Sequence, residues 1–482
     1  MSEPLIFHVD VNSAFLSWSA LNRLQEQPDA PDLRDIPSAV GGDVKTRHGI
    51  ITARSIPAKK YGIHTADPVV KALEMCPDLV LVPADFETYR KFSHALMDIL
   101  RRTANAVEQL SIDEALLDMT ETVNTGSETA NPSHICSGTG GFLMEEERDG
   151  HIPGSSGHPG TFLDEGSRVF PLTVADELRE EVWHSLGFTV NIGISTNRLL
   201  AKMASDFMKP GRIHTLWPEE VPAKMWPMPV GDLYGCGKKG AARLNDFGIR
   251  TIGDAAHADP ELLQQILGEK GGQYIYNSAN GIASSAVTAE RGDAKSYSNE
   301  TTLANDLGYA NFNTDAVPVI RHLSAKVARR LQRDHFYAGT IELSVKTDDF
   351  HRFSRQTRLP QSTQEEEVIA DTAQELAAKL LIGSGDEEGL FAKGRKIRLI
   401  GVGGTNLEDD SNRQMDLFGY LAEQEQARKE EEEKRHKREQ EQRQRERLEQ
   451  ERQERTKKQT RLDAMLREVN QKYGNGTLRK GG

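Results

Sequence analysis

The sequence predicts an α+β fold divided among several domains, and three observations carry that expectation. Residues 5–217 alternate short apolar runs with amphipathic stretches, so strands and helices follow one another. From Pro227 a Gly-Cys-Gly turn opens a stretch of helical signals, and residues 299–405 form a separate α+β pattern. A length of 482 residues leaves room for three or four domains.

Composition narrows the class. Cys76, Cys136 and Cys236 are far apart and fit no disulfide or zinc spacing, which predicts a reducing, cytoplasmic setting. The N-terminus runs from MSEP into LIFHV, five apolar residues, too short for a signal or a membrane span, so no membrane is expected. A formal net charge of −13 argues against nucleic-acid binding by the whole surface and leaves the question to local basic faces.

Leu5–Val9 reads as a buried strand ending at Asp10 in HVDVNSAF. A helix follows, with Ala14, Phe15, Trp18 and Leu21 at helical spacing and Asn12 or Ser13 near its start. Residues 38–67 alternate β-rich runs with Gly turns and close on Lys59, Lys60 and Tyr61, with Arg54 just upstream. This is either a solvated loop or a cationic cover over phosphates. A helix is expected from Asp85 to Val107, with Phe86, Tyr89, Phe92, Leu96, Ile99 and Leu100 as its core face.

The stretch VEQLSIDEALLDM then places two apolar runs, Val107–Ile112 and Ala115–Met119, as antiparallel strands around the adjacent acids Asp113 and Glu114. Neighbouring carboxylates at a hairpin repel, so a cation is expected there, with Asp10 as a partner acid. Residues 121–168 are rich in Gly, Ser, Thr, Glu and Asp and read as an exposed insertion without a site, despite His134, Cys136, His151 and His158. Order resumes with a helix from about Thr173, a strand at Phe188–Ile194, and the helix RLLAKMASDF, capped by Thr196 or Asn197 and ending before Lys209. With Ile213–Trp217 this makes a sheet of four or five strands carrying its acids at the edge.

In DLYGCGKKGAARLNDFGIRTIGDAA, Gly235 and Gly237 form a turn before a helix that starts with Lys238 and Lys239. Backbone N–H groups at a positive dipole end suit a phosphate, and the composite resembles a helix-hairpin-helix binder of DNA backbone. After a polar linker, strands are expected near Thr340–Thr347, His351–Thr357 and Lys396–Val402. The basic excess between Arg321 and Arg358, which includes Arg329, Arg330, Arg352 and Arg355, is a candidate phosphate-tracking surface. QMDLF follows, then a charged run from Glu423 to Thr460, and an apolar stripe at Leu462, Met465, Leu466 and Val469.

HVDVNSAF, SIDEA, NIGISTNRLLAKMASDFMKP and GCGKKGAARLNDFGIRTIGD occur in that order. Through them the chain resembles the Y-family, translesion DNA polymerases of the bacterial polymerase IV and polymerase V catalytic-subunit type, over residues 5 to about 405 apart from the insertion. The resemblance implies a right-hand enzyme. Its ferredoxin-like palm would span 1–37 and 85–226, its fingers 38–84, its helix-hairpin-helix thumb 227–284, a linker 285–298 and an α+β little finger 299–405. A clamp-binding tail at 406–420 and a charged tail at 421–482, helical or disordered, would complete it. The implied activity is template-directed, low-fidelity addition of dNTPs to a primer 3′-hydroxyl in the DNA damage response, by a monomer using two Mg²⁺ ions.

By the same resemblance Asp10, Asp113 and Glu114 are the metal-binding catalytic acids and the Val11 carbonyl a further ligand. Phe15 is the steric gate, and Lys59 and Lys209 bind the triphosphate. Gly235, Gly237, Lys238 and Lys239, with Arg329, Arg330, Arg352 and Arg355, contact primer-template DNA. Gln414, Leu417 and Phe418 of QMDLF engage the sliding clamp. The chain departs from the family pattern at Asn12, Ala14 and Ile56, and has Lys59 where the family has Arg. A non-catalytic adaptor would not need the three acids, and a nucleotide-cyclase palm would not need GCGKK, the basic domain or QMDLF.

Overall fold

The computed structural model describes residues 3–42, 49–121, 165–290, 292–385 and 387–409, and beyond them 428, 435, 456–469, 471, 472 and 474. The chain divides into two compact units, Met1–Asp293 and Ala294–Gly482.

The first unit is built on β1 (Ile6–Val11), every residue of which is buried. That burial explains its near-continuous apolar sequence, since a central strand has covers on both faces. The five-stranded sheet runs β5 (Ala106–Gln109), β6 (Glu114–Asp118), β1, β7 (Val190–Ser195), β8 (Ile213–Thr215). Strand β1 pairs antiparallel with β6 and β7, and β7 pairs parallel with β8. Asp10 thus lies on the central strand and Glu114 on its neighbour; the expected edge location is corrected, because β5 and β8 flank them.

Alternation along β1 sorts its side chains. Phe7, Val9 and Val11 join a core with Trp18 of α1 (Ala14–Glu26), Leu96 and Leu100 of α4 (Phe86–Thr103), and Leu178 and Val182 of α5 (Glu165–Leu186). Ile6 faces the other way, against Ala201 of α6 (Arg198–Asp206). Helix α6 lies so close to β7 that a Cβ at Gly193 would stand 2.0 Å from the Ala201 carbonyl oxygen, so only glycine fits there. Asn197 caps α6, its side chain accepting from the Leu200 N–H at 3.0 Å.

Three expectations need correction here. Helix α4 ends at Thr103, short of the expected Val107, and the strand expected at Val107–Ile112 runs from Ala106 to Gln109, pairs with β6 and gives way to a loop at Leu110. Phe86, expected in the core, is 54% exposed at the first turn of α4. Helix α5 starts at Glu165, inside the expected insertion; Pro171 reads as a start signal, but the helix carries it internally at the loss of one backbone bond.

A smaller sheet holds β2 (Ser38–Gly41) between β3 (Ile51–Arg54) and β4 (Val80–Val82), with the short helices α2 (Ile56–Lys59) and α3 (Val69–Met75) beside it. Residues 238–279 form four helices: α7 (Lys238–Asp246), α8 (Ile252–His257), α9 (Pro260–Leu267) and α10 (Glu269–Ala279). Gly235 has φ +87°, and a Cβ there would run into the Tyr274 ring at 2.5 Å. The turn between α7 and α8 exposes Phe247, and Thr251 closes a capping box with Asp254.

In the second unit, β9 (Ser296–Leu307) lies on one edge of an antiparallel four-stranded sheet. Strand β10 (Phe336–Thr347) is flanked by β11 (Arg352–Thr363) and by β14 (Ile397–Asp409), which pairs with β9. Helices α11 (Val317–Arg333) and α12 (Glu366–Leu381) cover one face, and a two-residue ladder, β12 (Gly383–Ser384) with β13 (Glu387–Glu388), follows α12. Strand β9 begins inside the expected linker. Only Tyr297, Leu303 and Leu307 of its twelve residues are buried, too sparse a pattern to mark a strand by periodicity.

Candidate active site

The loop Leu110–Asp113 joins β5 to β6, closed by the Leu110 N–H on the Glu114 carbonyl at 3.0 Å. Within it Ser111 Oγ donates to Asp113 Oδ1 at 2.6 Å, and the Val11 N–H donates to the Asp113 carbonyl at 3.0 Å. Register places Asp10 directly opposite Glu114. Residues about a hundred apart in sequence therefore meet at one end of the β1–β6 ladder.

Asp10, Val11 and Asp113 line one cavity of about 250 Å³, together with Asn12, Ser13, Ala14, Phe15, Thr52, Ala53, Arg54, Thr65 and Lys209. Glu114 is not in that lining; it turns toward Lys202, whose Nζ lies 2.9 Å from Glu114 Oε1 and 3.3 Å from Asp10 Oδ2. Lys209 Nζ contacts Asp10 Oδ2 at 2.7 Å, and Asp206 pairs with both lysines, at 3.4 Å from Lys202 and 2.9 Å from Lys209. A larger cavity of about 680 Å³ runs along the β5 edge and contains none of these acids.

Burial alone would depress Lys202, but Asp10, Glu114 and Asp206 outweigh it and hold its pKa well above the usual lysine range. Burial raises Glu114 despite the pull of Lys202, and the two lysines overcome the burial of Asp206 to lower it. Residues 202, 206 and 209 lie at helical spacing. Lys202 and Asp206 join the site beyond the residues expected from sequence; their signal there is a lysine four residues before an acid within an otherwise buried Ala/Met helix.

His8 faces the same side of β1 as Asp10. Both ring nitrogens are buried without a hydrogen-bond partner among the described residues, and burial, then Lys202, lowers its pKa to about 3. It is therefore neutral at pH 7, and its 3.9 Å approach to Glu114 is not an ion pair. The unfolded chain takes up a proton below about pH 6.5 and the folded chain does so only near 3, so stability falls as pH drops through that window, by about 1.4 kcal/mol per pH unit. Denaturant unfolding between about pH 6.5 and 4.5 should show the wild type losing roughly 2–3 kcal/mol more than His8→Leu; parallel profiles would remove this assignment.

The remaining candidates fall at several places. Phe15 lies in the cavity wall, its ring stacked on Tyr89 at 4.7 Å and edge-on to Phe86 at 5.8 Å. Lys59 ends α2, exposed and outside the cavity lining. Gly237 is the residue before α7, with Lys238 and Lys239 exposed in its first turn. On α11, Arg330 donates to the Ser298 carbonyl at 2.9 Å and lies over the Tyr297 ring, while Arg329 is exposed. Arg352 pairs with Glu300 and Arg355 with Glu387. Arg355 is registered with the core residue Leu343 and Arg352 with Lys346, so the two lie on opposite faces of the sheet. Gln414, Leu417 and Phe418 lie outside the described residues.

Among the described residues no three His, Cys, Asp or Glu side chains form a ready-made metal site. The donors nonetheless fit a hard dication. Asp10 and Asp113 line one cavity and supply hard oxygen donors there, while Glu114 and Asp206 pair with Lys202 and Lys209 beside it. No described helix is long and apolar enough to cross a membrane.

Comparison with known proteins gives the family. Residues 9–206 match the impB/mucB/samB family, residues 294–417 its C-terminal domain, and residues 231–282 the DNA polymerase-iota thumb domain. DNA polymerase IV of Clostridium acetobutylicum is 35% identical over 416 residues, 86% of this chain and 90% of the relative. DNA polymerase IV 1 of Bacillus subtilis is 31% identical over 99% of this chain and 92% of its own length. A solved Y-family DNA polymerase chimera of Dbh and Dpo4 shares the fold, with a TM-score of 0.64 at 21% identity, covering 84% of this chain and all of that one. The class is that of DNA-directed DNA polymerases. Within it, the chain belongs to the Y-family, translesion branch, of the polymerase IV type.

Proposed function

We propose that this polymerase extends a primer 3′-hydroxyl with dNTPs against a template, at low fidelity and past damaged bases, using two Mg²⁺ ions at Asp10, Asp113, Glu114 and the Val11 carbonyl. The observation that carries the reading is the shared cavity, where Asp10 and Asp113 stand beside the start of α1 and Lys209. Bound there, divalent ions would acidify the primer hydroxyl and neutralise the triphosphate and departing pyrophosphate.

The protein's own groups do the rest. The first N–H groups of α1 have no intrahelical acceptor, and Ser13 makes no side-chain cap, which leaves donors for phosphate oxygens beside Lys209. Lys59 adds a further cation on the fingers side. Phe15 fills the space that a ribose 2′-hydroxyl would need. Gly235, Gly237, Lys238 and Lys239 offer N–H and ammonium donors to the DNA backbone, and of the second unit's arginines Arg352, on the sheet face turned away from the core residue Leu343, adds to that contact, whereas Arg355 is on the core side. Gln414, Leu417 and Phe418 recruit the sliding clamp, which supplies residence on DNA that so open a site lacks.

The test is primer extension with dNTPs and Mg²⁺ on undamaged and abasic-site templates. Product beyond the lesion is the expected outcome; failure to extend even the undamaged template overturns the reading.

A further inference from the structure

Among the charged groups lining the 250 Å³ cavity, Arg54 is the one without a role so far. It ends β3, and its Nη1 donates to Thr65 Oγ1 at 3.1 Å. Its Nε is buried and meets no acceptor among the described residues. Among the described residues it pairs with no carboxylate, whereas Lys209 in the same cavity is held by Asp10 and Asp206. Arg54 is thus anchored by one donor and has others unused. The burial at Nε does not cover the terminal guanidinium nitrogens, whose N–H groups beyond the bond to Thr65 are left for a phosphate oxygen entering the cavity.

Lys59 contrasts with it. An ammonium is a point charge without the fork of a guanidinium, and this one lies exposed outside the cavity lining. The bidentate cation missing at position 59 is available five residues earlier, facing the start of α1. We infer that Arg54 is a nucleotide-binding residue that donates paired N–H bonds to the phosphates of the incoming nucleoside triphosphate. The inference rests on the polymerase reading and adds a recognition group to the same site.

Single-nucleotide insertion by the full chain on an undamaged primer-template tests it, using Arg54→Ala, Arg54→Lys and Lys59→Ala. Arg54→Ala should raise the KM for dNTP about tenfold or more, with the loss falling mainly on KM rather than kcat and with unchanged affinity for primer-template. Arg54→Lys keeps the charge and the stem, guards against misfolding, and should recover part of the loss. Lys59→Ala should raise KM less. A KM for Arg54→Ala within about twofold of wild type, or a rise no larger than that of Lys59→Ala, overturns the inference while leaving the polymerase reading intact. If the wild type does not extend the primer, the polymerase reading fails and this inference fails with it.

Discussion

Replacing Asp113 by alanine is expected to lower Mg²⁺-dependent primer extension about a thousandfold or more, while primer-template affinity stays near the wild-type value. That scale is the one seen when a group stabilising developing charge in a transition state is lost. Asp113 stands in a loop, half-exposed, and its side chain accepts one hydrogen bond, from Ser111. Its removal should cost about 1 kcal/mol of stability, too little to explain a large loss of activity. The backbone bond from Val11 to the Asp113 carbonyl survives the substitution and keeps the loop in place. On the proposed reading DNA affinity rests on basic groups elsewhere in the chain, so activity and binding should separate cleanly. Extension within tenfold of wild type would remove Asp113 from the metal site.

Replacing Phe15 by alanine should reduce discrimination against ribonucleotides roughly 10- to 100-fold, the range that a single shape contact supplies. The ring is held by Tyr89, Phe86 and Trp18, so its position in the cavity wall is set by packing on three sides. Such a support makes a steric boundary effective, because a wall that can rotate away excludes little. The measurement is the ratio of kcat/KM for a dNTP and its matching rNTP, with dNTP insertion as the control for folding. An unchanged ratio would count against the gate.

Much of the fold was legible because its signals are local. The fully buried run Leu5–Val9, the apolar pairs around Ser111–Glu114, and Asn197 before α6 all follow from burial, periodicity or capping. What was not legible depended on partners distant in sequence. Strand β9, sparse in buried residues, became a strand because β14 offered a ladder. Phe86, the first residue of α4, is exposed, and its sequence spacing alone did not distinguish it from the buried Tyr89.

The site divides the same way. Asp10, Asp113 and Glu114 could be singled out as acids at the ends of apolar runs. That Glu114 turns from the cavity to Lys202 could not, since it depends on where α6 crosses the sheet. The choice between Arg54 and Lys59 likewise turns on which basic residue faces inward, and both lie in a stretch where periodicity is silent. His8 looked like one more residue of a buried strand, yet it is a polar ring sealed beside the acids.

The most direct measurement is the number of Mn²⁺ ions bound to the complex with primer-template and dNTP, read by electron paramagnetic resonance with a primer lacking its 3′-hydroxyl. About two ions per wild-type complex, falling by at least one in Asp113→Ala, is the predicted result. No bound ion in the wild type, or a count that Asp113→Ala leaves unchanged, would contradict it.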